Sequence, residues 1–150
     1  MSITLEELLP PDQLLLDLRV ADKRHALREL STYAGAALRM PSQPIFDALE
    51  RREQLGSTGL GQGFALPHAR IEGLDRFFAL LARLNRPVAF AAVDDKPVDL
   101  LFLLLIPTAH AEEHVALMAS ICRLMREATF AERVRKSRTT KELHSLLQMS

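Results

Sequence analysis

At 150 residues the chain has the size of one domain, long enough to bury a substantial core and too short for separate catalytic and regulatory domains. Its nineteen lysines and arginines equal its nineteen aspartates and glutamates, so a formal net charge of zero supplies no global field toward nucleic acid or an anionic membrane. The one cysteine, Cys122, excludes an internal disulfide and fits a reducing compartment as a buried core thiol.

Met1 to Glu7 carries no positively charged leader segment, and the densest apolar run, Leu100 to Ile106, is far below the roughly 20 residues that span a bilayer. A cytoplasmic protein with no membrane insertion is expected. After Pro10-Pro11, Leu14-Leu15-Leu16 reads as a first strand. Asp22 caps a helix to about Leu38, on which Ala26, Leu27, Leu30, Tyr33, Ala34 and Ala37 recur at helical spacing, and Met40-Pro41 ends it. Ser42 opens a second helix, with Ile45, Phe46 and Leu49 on one side and Glu50 to Glu53 toward its end.

Three extended stretches follow: Gly63 to Leu66, Phe77 to Leu84, and Val98 to Ile106. The last two are apolar almost throughout, as in strands covered on both faces. Asn85-Arg86-Pro87 and Asp94-Asp95-Lys96-Pro97 read as turns between them. A helix is expected from Ala109 to about Glu127, with Val115, Met118, Cys122 and Met125 three or four apart. Two short helices follow behind the capping boxes Thr129-x-x-Glu132 and Thr139-x-x-Glu142. The predicted class is α/β: a single-domain α/β sandwich over residues 1–150, its mixed, mostly buried sheet flanked by helices on both faces.

Between the second helix and these strands, Gly56-Ser57-Thr58-Gly59-Leu60-Gly61-Gln62-Gly63 leads through Phe64-Ala65-Leu66-Pro67 to His68. A neutral imidazole attacks phosphorus without a separate base and forms a phosphoramidate that remains a good donor. Phosphoryl transfer asks the protein mainly for positioning and for donors to the charged oxygens. Glycines let backbone N–H groups approach an anion, and Ser57, Thr58 and Gly59 are the candidate donors. The loop contains neither G-x-x-x-x-G-K-[ST] nor G-x-G-x-x-G, so nucleotide readings are poor and no cofactor is expected. On spacing alone two readings of the loop stand, an anion cradle and a bent connection between helix and strand.

The run Arg52-Glu53-Gln54-Leu55 through Gly56 to His68 resembles the signature of the fructose/mannitol-type enzyme IIA domains of the bacterial phosphoenolpyruvate-dependent phosphotransferase system. Pro97-Val98-Asp99-Leu100-Leu101-Phe102, with the histidine that begins the following helix, is most similar to the nitrogen-related enzyme IIA. The resemblance runs from about residue 5 to residue 147. It implies a phosphoryl carrier in which His68 is phosphorylated, usually at Nε2, by a histidine-containing phosphocarrier protein. It also implies that His114 is the second active-site histidine, and Arg52 matches an arginine often found ahead of the Gly-Ser-Thr-Gly run. An early helical turn at His114 would bring N–H groups and a positive dipole end to a phosphate.

Ala69 stands where the family often has glycine. Arg70 stands where a lysine or arginine is common, and two readings of it stand, docking an acidic partner or facing solvent. Phe64 and Leu66 are expected to be exposed beside His68 and to form the contact patch for the donor. The targets that the resemblance implies are regulatory, such as a potassium transporter or a sensor kinase. With no permease or IIB segment attached, regulation is expected rather than direct sugar transport.

His110-Ala111-Glu112-Glu113-His114 formally matches the zinc signature H-x-x-E-H, but too few residues follow it to supply a third ligand from a supporting domain, so no metal is expected. Arg133, Arg135, Lys136, Arg138 and Lys141 form a basic stretch without interleaved aromatics, better read as a solvated helix face than as a nucleic-acid site. The competing functional class is a binding or regulatory module whose loop holds an anion or a partner and is never phosphorylated.

Overall fold

Ten consecutive residues of one strand, Val98–Pro107, set the architecture, because all but Asp99 are buried and need cover on both faces. A computed structural model describes residues 3–110 and 113–148 and supplies that cover. Helix α1 (Leu5–Leu8) and a 3-10 turn (Pro11–Gln13) lead into β1 (Leu14–Leu18). Helix α2 (Lys23–Leu38) opens at Asp22, whose side chain accepts from His25 N–H, and α3 (Ser42–Gln54) follows. The short strands β2 (Gly59–Gly61), β3 (Phe64–Ala65) and β4 (His68–Ile71) precede the long β5 (Phe78–Val88) and β6 (Val98–Pro107). Helices α4 (Glu113–Met125), α5 (Ala128–Lys136) and α6 (Thr140–Gln148) complete the described chain.

The sheet order is β1-β5-β6-β3-β2, with β4 also paired to β6. Strand β6 runs antiparallel to β5 and parallel to β3 and β4, so the sheet is mixed. Alternation along β6 divides the core. Leu101, Leu103 and Leu105 pack with Leu27, Leu30, Ile45 and Phe46 of α2 and α3. Leu100, Phe102, Leu104 and Ile106 pack with Leu117, Ile121, Phe130 and Leu143 of α4, α5 and α6. The α/β sandwich with helices on both faces is therefore as the sequence predicts, and double cover is why the strand lacks alternating polarity. No helix among the described residues is long and apolar enough to cross a membrane.

Several boundaries differ from expectation. Asn85-Arg86-Pro87 does not end the strand: β5 continues to Val88, and the pairing with β6 slips between Arg83 and Val88, so the turn-type residues occupy an exposed irregularity. The Thr129 box does not form, because α5 begins at Ala128 with Glu127 at the cap position and no side-chain cap bond. At the last helix Thr139 Oγ1 accepts from Glu142 N–H, while the Glu142 carboxylate accepts from Arg138 N–H, one residue outside the usual box. A 3-10 turn (Thr108–His110) precedes α4; Ala111, Glu112 and the side chain of His110 lie outside the described residues.

Candidate functional site

Parallel pairing of β4 with β6 sets His68 opposite Leu104 and Ile71 opposite Pro107, so β6 delivers the chain toward α4 just beyond the strand that begins with His68. Helix α3 packs against β4 and brings its last turn to the same place. The result is a cleft of about 630 Å³ whose lining includes Arg51, Arg52, Leu55, His68, Arg70 and His114 and, among the described residues, no carboxylate. Two distant histidines and the arginine of the Gly-Ser-Thr-Gly run thus share one opening.

His68 is half-buried, and its Nδ1 lies 2.8 Å from the Leu66 carbonyl oxygen. A carbonyl only accepts, so the bond assigns the proton of the neutral ring to Nδ1 and leaves the lone pair on Nε2. Arg52 Nε–H donates to that Nε2 at 3.3 Å, while Arg52 Nη1 donates to the Gly56 carbonyl at 2.8 Å. Burial holds the His68 pKa below the usual imidazole value. The Leu66 bond opposes this, Arg52 adds to it, Glu53 opposes it, and His114 adds to it. The site therefore favours a neutral imidazole with its nucleophilic nitrogen toward the cleft.

His114 lies in the first turn of α4, and its Nδ1 is buried without a hydrogen-bond partner among the described residues. Such a group is costly unless something meets it, which makes it the unsatisfied member of the site. Arg70 is exposed on β4 and lines the cleft. Ala69 has ordinary extended backbone, so the departure from glycine does not strain the chain there.

Other expected roles change. Phe64 and Leu66 are each only 2% exposed and belong to the core beneath α4, α5 and α6, so neither forms a surface patch. Pairing of β3 with β6 turns Phe64 inward, which a short motif cannot reveal. The exposed apolar side chains beside the histidines are instead Leu55, 86% exposed in the cleft wall, and Val115, 65% exposed next to His114.

Ser57, Thr58 and Gly59 likewise do not line the cleft as phosphoryl donors. The Ser57 hydroxyl donates to the Phe90 carbonyl at 2.5 Å and accepts from Gly59 N–H at 3.0 Å. Thr58 is buried, with its N–H and hydroxyl both on the Glu53 carboxylate. Gly59 is packed against Ala92, where an added Cβ would come within 2.8 Å of that side chain. Their polar groups shape the loop.

The C-terminal basic stretch is mostly solvated, but Arg135 makes two bonds of 2.9 Å to Asp99 and a third to the Gln62 carbonyl, clamping the glycine loop from behind. Cys122 is half-buried, and burial pushes its thiol pKa up, away from reactivity. Among the described residues no group of three or more histidine, cysteine, aspartate or glutamate side chains is placed to hold a metal ion.

Known proteins are similar to this chain in sequence and in fold. Residues 7–150 match the family described as "Phosphoenolpyruvate-dependent sugar phosphotransferase system, EIIA 2". A nitrogen regulatory protein of Bradyrhizobium diazoefficiens is 38% identical over 143 residues, covering 95% of this chain and 94% of the relative. One from Pseudomonas aeruginosa is 36% identical over 146 residues, covering 97% and 95%. The crystal structure of nitrogen regulatory protein IIA-Ntr from Neisseria meningitidis superposes with a TM-score of 0.90 at 32% identity, covering 95% of this chain and 97% of that one. With the match spanning core, glycine loop and both histidines, the chain belongs to the EIIA type-2 family of the phosphoenolpyruvate-dependent phosphotransferase system, in its nitrogen regulatory branch.

Proposed function

We propose that the chain is a phosphoryl carrier that accepts a phosphoryl group on Nε2 of His68 from a histidine-containing phosphocarrier protein and regulates targets through its phosphorylation state. The observation that carries this reading is the Nδ1 bond to Leu66, which fixes the tautomer and leaves Nε2 as the attacking atom. In the transfer step the Nε2 lone pair forms a bond to phosphorus as the donor's P–N bond breaks, and that electron pair returns to the donor's ring. Nδ1 keeps its proton on the Leu66 carbonyl, so no separate base is needed. Arg52 Nε–H gives up the lone pair it occupies, and its guanidinium is then within reach of the phosphoryl oxygens. His114, which lines the same cleft, is the second group for those oxygens.

Leu55 and Val115 form the apolar contact for the donor, with Arg51 and Arg70 beside them for its acidic groups. Phosphorylation would place roughly −1.5 to −2 charges in a cleft lined by arginines, converting a basic surface toward neutral and changing which target docks. Incubation with phosphoenolpyruvate, enzyme I and the phosphocarrier tests the reading. An acid-labile, alkali-stable adduct should form and vanish in His68→Ala; no adduct on the unaltered chain refutes the carrier and favours the unphosphorylated binding module.

A further inference from the structure

Behind the cleft lies a carboxylate that the transfer step does not use. Glu53 follows Arg52 on the last turn of α3, and its side chain is only 6% exposed. One oxygen receives Lys23 Nζ at 2.8 Å and Thr58 N–H at 3.0 Å, and the other receives the Thr58 hydroxyl. Lys23 stands at the start of α2; its ammonium also reaches the Phe90 carbonyl at 3.5 Å and lies 4.6 Å from the centre of the Phe90 ring. Ser57 donates to that same carbonyl. Glu53 thus ties α3 to the start of α2 through Lys23 and to the glycine loop through Thr58, and Lys23 carries the connection on to the Phe90 carbonyl between β5 and β6.

Burying an ion pair costs several kcal/mol per ion, and well-packed apolar groups of similar volume often stabilise a fold as well or better. Stability is thus a weak reason for Glu53, whereas geometry is a strong one. Gly56, whose carbonyl holds Arg52 Nη1, is two residues from Thr58, and the same guanidinium meets His68 Nε2 through its Nε. Fixing Thr58 fixes the stretch that carries the Gly56 carbonyl, and so fixes Arg52. We propose that Glu53, locked by Lys23 and Thr58, is a positioning residue that sets the Arg52 guanidinium against Nε2 of His68. The proposal rests on the phosphoryl-carrier reading of the same cleft. Glu53 has a second effect, because its negative charge at His68 opposes the positive charge of Arg52.

Two variants of the full chain test this. E53Q keeps the shape and an acceptor for Thr58 but removes the charge, and E53A removes both. Transfer is measured from phosphorylated histidine phosphocarrier, and the His68 ring is titrated by nitrogen-15 NMR on the unphosphorylated chain. The groups acting on that ring are Arg52 and Glu53 from α3, His114 from α4, and the Leu66 carbonyl. The expected result is a kcat reduced about 10-fold in E53Q and toward the roughly 100-fold that a 1 Å misplacement costs in E53A, with KM within about twofold.

In E53Q, which keeps an acceptor for Thr58, the His68 midpoint should fall, since a charge that raises it is gone; in E53A the released Arg52 no longer lowers it, and the midpoint should lie above that of E53Q. A kcat within about twofold of the unaltered chain, or a loss residing in KM, overturns the proposal. So does a lowered melting temperature with transfer and His68 titration unmoved. If E53A does not fold, E53Q decides by the same criteria. Should the unaltered chain accept no phosphoryl group at all, the carrier reading fails by itself, and an E53A midpoint no higher than that of E53Q separately refutes the positioning role.

Discussion

Replacing Gly63 by alanine should destabilise the protein through two separable causes. Gly63 has φ +80°, and its carbonyl accepts from both Asp99 N–H and Leu100 N–H at 3.0 Å, so the backbone cannot relax without loosening β6. A positive φ costs an alanine about 1–2 kcal/mol relative to glycine. The new Cβ would also stand 2.6 Å from Arg135 Nη2 and 2.8 Å from Asp99 Oδ1, inside the ion pair. With side chains 35% and 24% exposed the pair is partly screened, and its disruption adds about 1 kcal/mol. The total of about 2–3 kcal/mol corresponds to a melting temperature lowered by about 5–10 °C for a chain of this length.

Urea denaturation followed by circular dichroism measures the loss directly. In an R135A background the ion pair is already absent, so Gly63→Ala should cost about 1 kcal/mol less there, which a double-mutant cycle reads as coupling. Equal cost in both backgrounds, or a Gly63→Ala stability within about 0.5 kcal/mol of the unaltered chain, refutes the reasoning.

Leu55→Asp and Val115→Asp should each raise KM for the phosphorylated donor roughly 10-fold with little change in kcat, the cost of removing one apolar anchor; an unaltered KM places docking elsewhere. The rate of phosphoryl acceptance should rise with pH through a midpoint below 6.5, because the neutral ring is the nucleophile and burial with Arg52 holds His68 in that form. Arg52→Met should raise that midpoint while slowing transfer, and a midpoint that falls contradicts the assigned sign.

The same shift affects folding: the contribution of His68 to stability is full above pH 6.5 and declines as pH falls toward the lower folded-state value. Denaturation curves at several pH values should show that decline, and His68→Gln should remove it. His114→Ala should still accept a phosphoryl group but hold or pass it poorly, seen as altered adduct lifetime and onward transfer; unchanged kinetics would take His114 out of the site.

The site was legible in the sequence where chemistry sits in one contiguous run. Arg52, the glycines and His68 lie within seventeen residues, and their side chains meet as the run implies. His114 entered through the family resemblance, and although α4 begins at Glu113 rather than Ala109, His114 does stand in its first turn and line the His68 cleft. Phe64 and Leu66 misled because a short apolar stretch after a loop does not say which face is covered; only pairing with β6 turns them inward. Leu55 carried no periodic signal, as the residue just past the end of α3, although it is the most exposed large apolar side chain of the described residues. Ser57 and Thr58 looked like anion donors because hydroxyls are generic, and their partners, Phe90 and Glu53, are fixed by long-range and helix-end geometry.

By itself the sequence determined the layered α/β fold, because the uninterrupted apolar residues of Val98–Pro107 can be satisfied only under cover on both faces. It also singled out His68, through the family resemblance that the contiguous run from Arg52 to His68 carries. Tertiary structure alone decided what holds the His68 ring with Nε2 open, what holds Arg52, and which apolar residues stand exposed beside the histidines. Each of these depends on a contact between segments whose separation in the chain carries no periodicity: Leu66 against the His68 ring, Lys23 and Thr58 on Glu53, and β6 beneath Phe64.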